Sequence, residues 1–286
     1  MYYISKGLKE RGFEFFGKIA GILFAIFCIG GSFGGGNAAQ SNQATIVLKD
    51  LMGLESTAAG AIIGLIIAII VGIIIIGGIK RIANVTEKVV PFMAVMYLFA
   101  CLYIILSNYA FIDDAISLII TEAFNPTAVG VGSVIGVLLV GFKRAAFSNE
   151  AGAGSASIAH SAVKTKYSAS EGLVALLEPF IDTVVICTMT ALVIIIFNFG
   201  GYFEYGGDGG MVYIDGVGYE GAGITSKAFA QYIPFSNIFL TIAVVLFAVS
   251  TMISWSYYGL QSWKFIFGRG YYADLTYKIL FLLFIV

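Results

Sequence analysis

Two adjacent hydroxyls, Ser250 and Thr251, open the stretch Ser250–Gly259, STMISWSYYG, inside an apolar helix. Hydroxyl and carbonyl oxygens are hard donors and suit a hard monovalent cation. Trp255 follows Thr251 by four residues, which places both on one face of a helix. A plainer reading stands beside this one. Helical Ser and Thr commonly bond back to a carbonyl of the preceding turn, and Trp anchors at membrane interfaces.

Gly141–His160, GFKRAAFSNEAGAGSASIAH, is the second candidate. An apolar run, Val129–Val140, leads into Lys143, Arg144, Ser148, Asn149 and Glu150, and then Gly152 and Gly154. A charge at the bilayer centre costs about 2.5–3.5 kcal/mol on insertion scales. The stretch is therefore a loop or a functional break in a helix. Its density of Gly, Ser, Asn and Glu favours the break, where freed amides and carbonyls can line a cavity. Alternatively, Ala123–Phe142 spans alone and Lys143–Arg144 marks its cytoplasmic end.

The third candidate is Gly30–Gln43, GGSFGGGNAAQSNQ, with the amides of Asn37 and Gln40. Its five glycines suit close approach of another helix or of a ligand. An outer helix end fraying into a polar loop fits equally well. Glu178, Pro179 and Asp182 open a later span as EPFID, and read best as a solvated cytoplasmic end. His160 is the single histidine, so a histidine-based metal cluster cannot be built. Cys28, Cys101 and Cys187 lie in apolar runs and read as small buried residues.

The elements that carry these residues follow from composition. Of 286 residues, 59% are hydrophobic and only 12% charged, with a net charge of -1. A soluble domain has about 45–50% apolar and about 25% charged residues. A soluble enzyme, a nucleic-acid binder and a disordered chain are excluded, and an integral membrane protein is implied. Uncharged runs predict spans over 15–39, 56–79, 89–112, 128–160 (broken), 172–199, 235–259 and 275–286 (truncated), within one transmembrane domain over 1–286. The last run has 12 residues, too short for a bilayer of about 30 Å. The expectation is a fragment, incomplete at both ends. Basic residues (Lys6, Lys9, Arg11; Lys80, Arg81, Lys88; Lys164, Lys166; Lys264, Arg269) alternate with acidic loops in step with the spans. Met1 is then cytoplasmic and 200–234 an external loop. No signal peptide precedes the first span, since Met1–Arg11 is amphipathic and charged.

These stretches resemble the alanine or glycine:cation symporter family, the sodium:alanine symporters. The matching motifs are MYYISKGL at Met1–Leu8, SFGGGNAAQSN at Ser32–Asn42, GFKRAAFSNEAGAGSASIAH at Gly141–His160, EGLVALLEPFIDTVVICTMTALVI at Glu171–Ile194 and STMISWSYYG at Ser250–Gly259. The resemblance implies an all-α polytopic membrane protein with a partial leucine-transporter-type inverted-repeat fold, here core helices three to eight plus the start of nine. It implies that Gln40, Phe147, Ser148, Asn149, Glu150 and Trp255 contact the substrate. Ser250 and Thr251 would form part of a sodium site.

The implied function is sodium-coupled symport of a small neutral amino acid, alanine or glycine, by alternating access. No catalysis is expected, and no cofactor beyond sodium as coupling ion. The partners would be the amino acid, sodium and the lipid bilayer, with no nucleic acid, in a multi-pass protein of the cell membrane. The alternatives are a transport-inactive fragment or structural membrane subunit, then another cation-coupled amino-acid transporter or a channel. One His and unpaired carboxylates support no membrane enzyme, and no filter motif supports a channel.

Overall fold

The computed structural model describes residues 1–124, 149–205 and 211–286. The expected broken span over 128–160 lies outside the described residues up to position 148. The chain divides into two compact units, Met1–Ala94 with Ile238–Val286, and Val95–Asn237.

In the first unit, α1 (Tyr2–Glu10) folds back on α2 (Glu14–Phe33) through a turn in which Gly12 takes φ +84. The chain then widens into a π-helical segment, Gly34–Ala38, and continues as α3 (Ala39–Met52). The whole forms one 39-residue helical run. The expected span 15–39 is thus the first part of a longer rod, and Gly30–Gln43 lies within that rod and is not a frayed end. Gly53 in the left-handed region closes it.

Helix α4 (Thr57–Ile76) starts on Ser56, whose hydroxyl accepts the Ala59 amide. Ile63, Ile67, Val71 and Ile75 recur every fourth residue and are buried, while Ile62, Ile66, Ile70 and Ile73 are exposed. A helix that is apolar on both faces belongs in a membrane. Helix α5 (Gly78–Ser107) begins well before the expected position 89 and carries Lys80, Arg81, Glu87 and Lys88. Arg81 donates 2.9 Å to the Ile73 carbonyl, satisfying the last turn of α4.

The second unit contains the end of α5, α6 (Ile112–Ala123), and two short helices, α7 (Glu150–Ala153) and α8 (Ala156–His160). Then come α9 (Ser168–Ala175), a single turn α10 (Leu177–Pro179), a second π segment (Phe180–Cys187) and α11 (Thr188–Asn198). Tyr97 ties this unit together. Its ring stacks on buried Phe229 at 5.6 Å, and its hydroxyl lies 2.7 Å from Thr190 Oγ1.

The all-α expectation needs one correction. Within 200–234, strands β1 (Glu204–Tyr205), β2 (Val212–Ile214) and β3 (Val217–Tyr219) form an antiparallel sheet, followed by α12 (Ala222–Tyr232). The reason is local. Asp215 and Gly216 both take positive φ between paired Ile214 and Val217, the two-residue hairpin turn that Asp-Gly favours.

Helix α13 (Ser236–Phe267) extends past the expected end at 259, and α14 (Tyr271–Leu283) follows a turn at Gly268. In the first unit, α4, α13 and α14 supply the core: Ile67, Val71, Met252, Ile253, Tyr277 and Phe281. Five helical runs among the described residues are long and apolar enough to cross a membrane: Glu14–Met52, Thr57–Ile76, Gly78–Ser107, Ser168–Asn198 and Ser236–Phe267. The protein is a mostly helical, polytopic membrane protein.

Candidate functional site

Gln40, Ser250, Thr251 and Trp255 all fall in the first unit. The π segment organises them. Its glycines permit the wider turn, and Gly36 is required by its neighbour. A Cβ there would run into the Cβ, Cγ and Cδ2 of Trp255, and one at Gly31 would stand 3.3 Å from Trp255 Cζ3. The indole therefore lies across bare backbone, half-buried, with Tyr258 edge-on at 5.7 Å. Gln40 turns back on the same segment and donates 3.1 Å to the Gly35 carbonyl. Gln40 and Trp255 thus each contact the segment where a helix departs from α geometry. Such π-bulges recur at functional sites.

Behind this face the same segment is held by side chains that sequence reasoning passed over. Buried Asn37 donates 2.6 Å to the Phe281 carbonyl, and Ser41, one turn on, donates 2.5 Å to the Ile285 carbonyl. Asn37 Oδ1 is buried without a hydrogen-bond partner among the described residues. Tyr277 hydroxyl donates 2.9 Å to Ser32 Oγ, at the point where a Cβ on Gly259 would strike both. The signal was the polar spacing Ser32, Asn37, Ser41 within an apolar run, which only a facing helix can make use of.

Ser250 and Thr251 diverge. Ser250 is buried, donates 3.0 Å to its own Phe247 carbonyl, and lies 3.9 Å from Met93 Sδ on α5. Thr251 shares its face with Trp255. The back-bonded arrangement weighed for this pair is what Ser250 shows.

Asn149 and Glu150 fall in the second unit, and Phe147 and Ser148 lie outside the described residues. Asn149 is extended and caps α7, its Oδ1 accepting the Gly152 amide at 2.9 Å while its Nδ2 donates 2.6 Å to Thr183 Oγ1. Gly154, left-handed at φ +79, ends α7 after one turn, and α8 restarts at Ala156. The Glu150 carboxylate accepts from Ser155, which is buried. From 149 to 160 the backbone is interrupted between two one-turn helices. Glu178, expected to be solvated, is instead half-buried with both oxygens engaged. Oε1 accepts the Glu150 amide at 2.9 Å, and Oε2 lies 3.7 Å from His160 Nε2. The other ring nitrogen, Nδ1, is 2.6 Å from Glu171 Oε1.

With this geometry in view, the comparisons place the chain. The model of the sodium:alanine symporter family matches residues 1–286. The chain belongs to the sodium:alanine symporter family. It is 37% identical over 99% of its length to the sodium/alanine symporter AgcS of Methanococcus maripaludis, covering 58% of that protein. It is 33% identical over 90% of its length to the putative sodium/proton-dependent alanine carrier protein YrbD of Bacillus subtilis, covering 51%. It is 32% identical over 90% of its length to the probable sodium/glutamine symporter GlnT of the same organism, covering 49%. The chain thus spans about half the length of the curated relatives it matches. The family is one of transporters, not of enzymes.

Proposed function

We propose that this chain forms part of a secondary transporter that couples inward movement of sodium to uptake of a small neutral amino acid, alanine or glycine. The observation that carries the reading is the π segment Gly34–Ala38 inside an apolar helical run, where Gln40 donates to the Gly35 carbonyl and Trp255 covers Gly36. Family membership supplies the class of cargo.

In this reading Gln40 and Trp255 wall the amino-acid pocket. Phe147, Ser148, Asn149 and Glu150 contribute backbone groups to the charged ends of the amino acid. The Ser250 and Thr251 hydroxyls share in coordinating sodium. Sodium favours the state that accepts substrate, so each raises the other's affinity. The two repeats of a leucine-transporter-type core, of which this chain would supply helices three to eight and the start of nine, rock around the site. Alternation of Lys and Arg along the loops supports a cytoplasmic Met1, an external 200–234 segment and the cell membrane as location. A pocket that differs by one methylene discriminates by only about 1–3 kcal/mol, so preference among small amino acids is modest.

The test is uptake of labelled alanine into proteoliposomes holding the complete product of the gene. Uptake should need sodium and should fall sharply in Gln40→Ala with Trp255→Ala. Uptake that persists with choline in place of sodium, or in the double variant, defeats this reading.

A further inference from the structure

A segment broken into one-turn helices cannot hold itself in place, because helices this short are unstable alone. Residues 149–160 form such a segment, yet they carry Asn149 and Glu150. Something outside must fix both ends. At the front, the Glu150 amide is one of the orphan donors of a helix N-terminus. At the back sits His160, the last residue of α8.

Glu178 reaches both ends with one carboxylate: Oε1 accepts the Glu150 amide at 2.9 Å, and Oε2 faces His160 Nε2 at 3.7 Å. Glu171, seven residues earlier on the same helical run, takes His160 Nδ1 at 2.6 Å. All three side chains are mostly shielded, at 17–27% exposure, so water competes weakly for these contacts. Both ring nitrogens face carboxylate oxygens, so the orientation of the ring is fixed from two sides.

We propose that Glu178 is the positioning residue of the interrupted segment. With His160 and Glu171 it clamps 149–160 to the helix start at 168–179. That piece and that helix then move as one body, and Asn149 keeps its place without being part of a continuous helix. In the transport cycle, which rests on the reading above, this makes 149–160 a rigid bearer of ligand groups and not a free loop. Glu178 acts through the Glu150 amide and is not itself assigned to the substrate.

Hydrogen exchange separates this from a generic structural role, and it reads no transport. The complete product of the gene in lipid nanodiscs is compared with its Glu178→Ala, Glu178→Gln and His160→Gln variants. Glu178→Ala should raise amide exchange across 149–160 by about tenfold or more, as loss of a charged hydrogen-bond acceptor implies. Peptides from Thr57–Ile76 should not change. Glu178→Gln keeps an acceptor for the Glu150 amide but loses the charge opposite His160. It should protect the front of the segment and loosen 156–160, as should His160→Gln. Unchanged exchange over 149–160 in Glu178→Ala overturns the proposal. If that variant unfolds throughout, Glu178→Gln decides, and wild-type protection over 156–160 then overturns it. Loss of uptake by the unmutated protein with the exchange pattern intact would sink the transport reading and leave the clamp standing.

Discussion

The π segment of the first unit and the interrupted segment of the second solve one problem by opposite means. Both put irregular backbone into an apolar chain, where each unpaired amide or carbonyl is costly. At Gly34–Ala38 the solution is dry. Side chains are removed, an indole covers the gap, and Asn37 and Ser41 reach neutral carbonyls. At 149–160 the polar groups hold one another: Glu178 accepts the Glu150 amide and faces His160, Glu171 takes the other ring nitrogen, Ser155 donates to Glu150, and Asn149 donates to Thr183. The contrast teaches that irregular geometry alone does not say how a segment is held. Close packing is insensitive to salt, whereas contacts between charged groups weaken as salt screens them.

The steric side of the comparison offers the largest effect. Gly36→Leu should destabilise the protein by about 3 kcal/mol, near the upper end for overpacking, because the new side chain meets the root of Trp255 and not its flexible end. Thermal unfolding in detergent measures it. Adding Trp255→Ala should recover much of the loss, since the two residues share one space. A Gly36→Leu protein as stable as its parent would remove the case for close approach.

Next comes the turn that interrupts the second segment. Gly154→Ala forces a Cβ into the left-handed region at φ +79, at a cost of about 1–2 kcal/mol. The effect should be local, seen as faster exchange over 149–160 with little shift in the global midpoint. A loss of global stability equal to that of Gly36→Leu would mean that the two segments do not differ as described.

Ser41→Ala removes one neutral hydrogen bond to the Ile285 carbonyl and should cost about 1 kcal/mol. Its effect should be the same across neutral and mildly alkaline pH, because neither partner titrates there. A pH-dependent penalty would show that charge enters the dry region after all.

How much of this was legible in the residues differs between the same two regions. The apolar runs located the helices well, and Thr57–Ile76 falls within the expected 56–79. Charges misled the edges. Helix α5 absorbs Lys80, Arg81, Glu87 and Lys88 because Arg81 finds a carbonyl one helix back, a partner invisible in one dimension. Gly and Ser density is a local property, and the short helices at 149–160 fall within a stretch that it marks. The π segment was not readable, since the same glycines fit a frayed end until Trp255 lies on them. Glu178 was read as solvated for a related reason. Its two partners come from positions 150 and 160, and spacing along a chain does not show a carboxylate folding back on them. Likewise the single histidine looked chemically isolated only while its neighbours were counted by sequence.

The smallest effect tests whether charge clamps in this protein obey their ordinary signs. Asp274 lies at the start of α14. It is one carboxylate between two cations, with Lys264 at 2.5 Å and Lys278 at 2.8 Å. Partial burial pushes its carboxyl up, but the hydrogen bonds and charges of the two lysines outweigh this and hold it below the usual carboxylate range. A carboxyl depressed in the native state stabilises that state above its unfolded value, near pH 4. The contribution fades as pH falls below that value and is gone once the native carboxyl is protonated. Because the group is partly solvated, the gain at neutral pH should be below about 1 kcal/mol. Asp274→Asn should therefore lower stability slightly at pH 7, and the difference from the parent should vanish on acidification. High salt should shrink the pH 7 difference as well. A difference that grows toward low pH would show that burial, and not the lysines, governs this carboxyl.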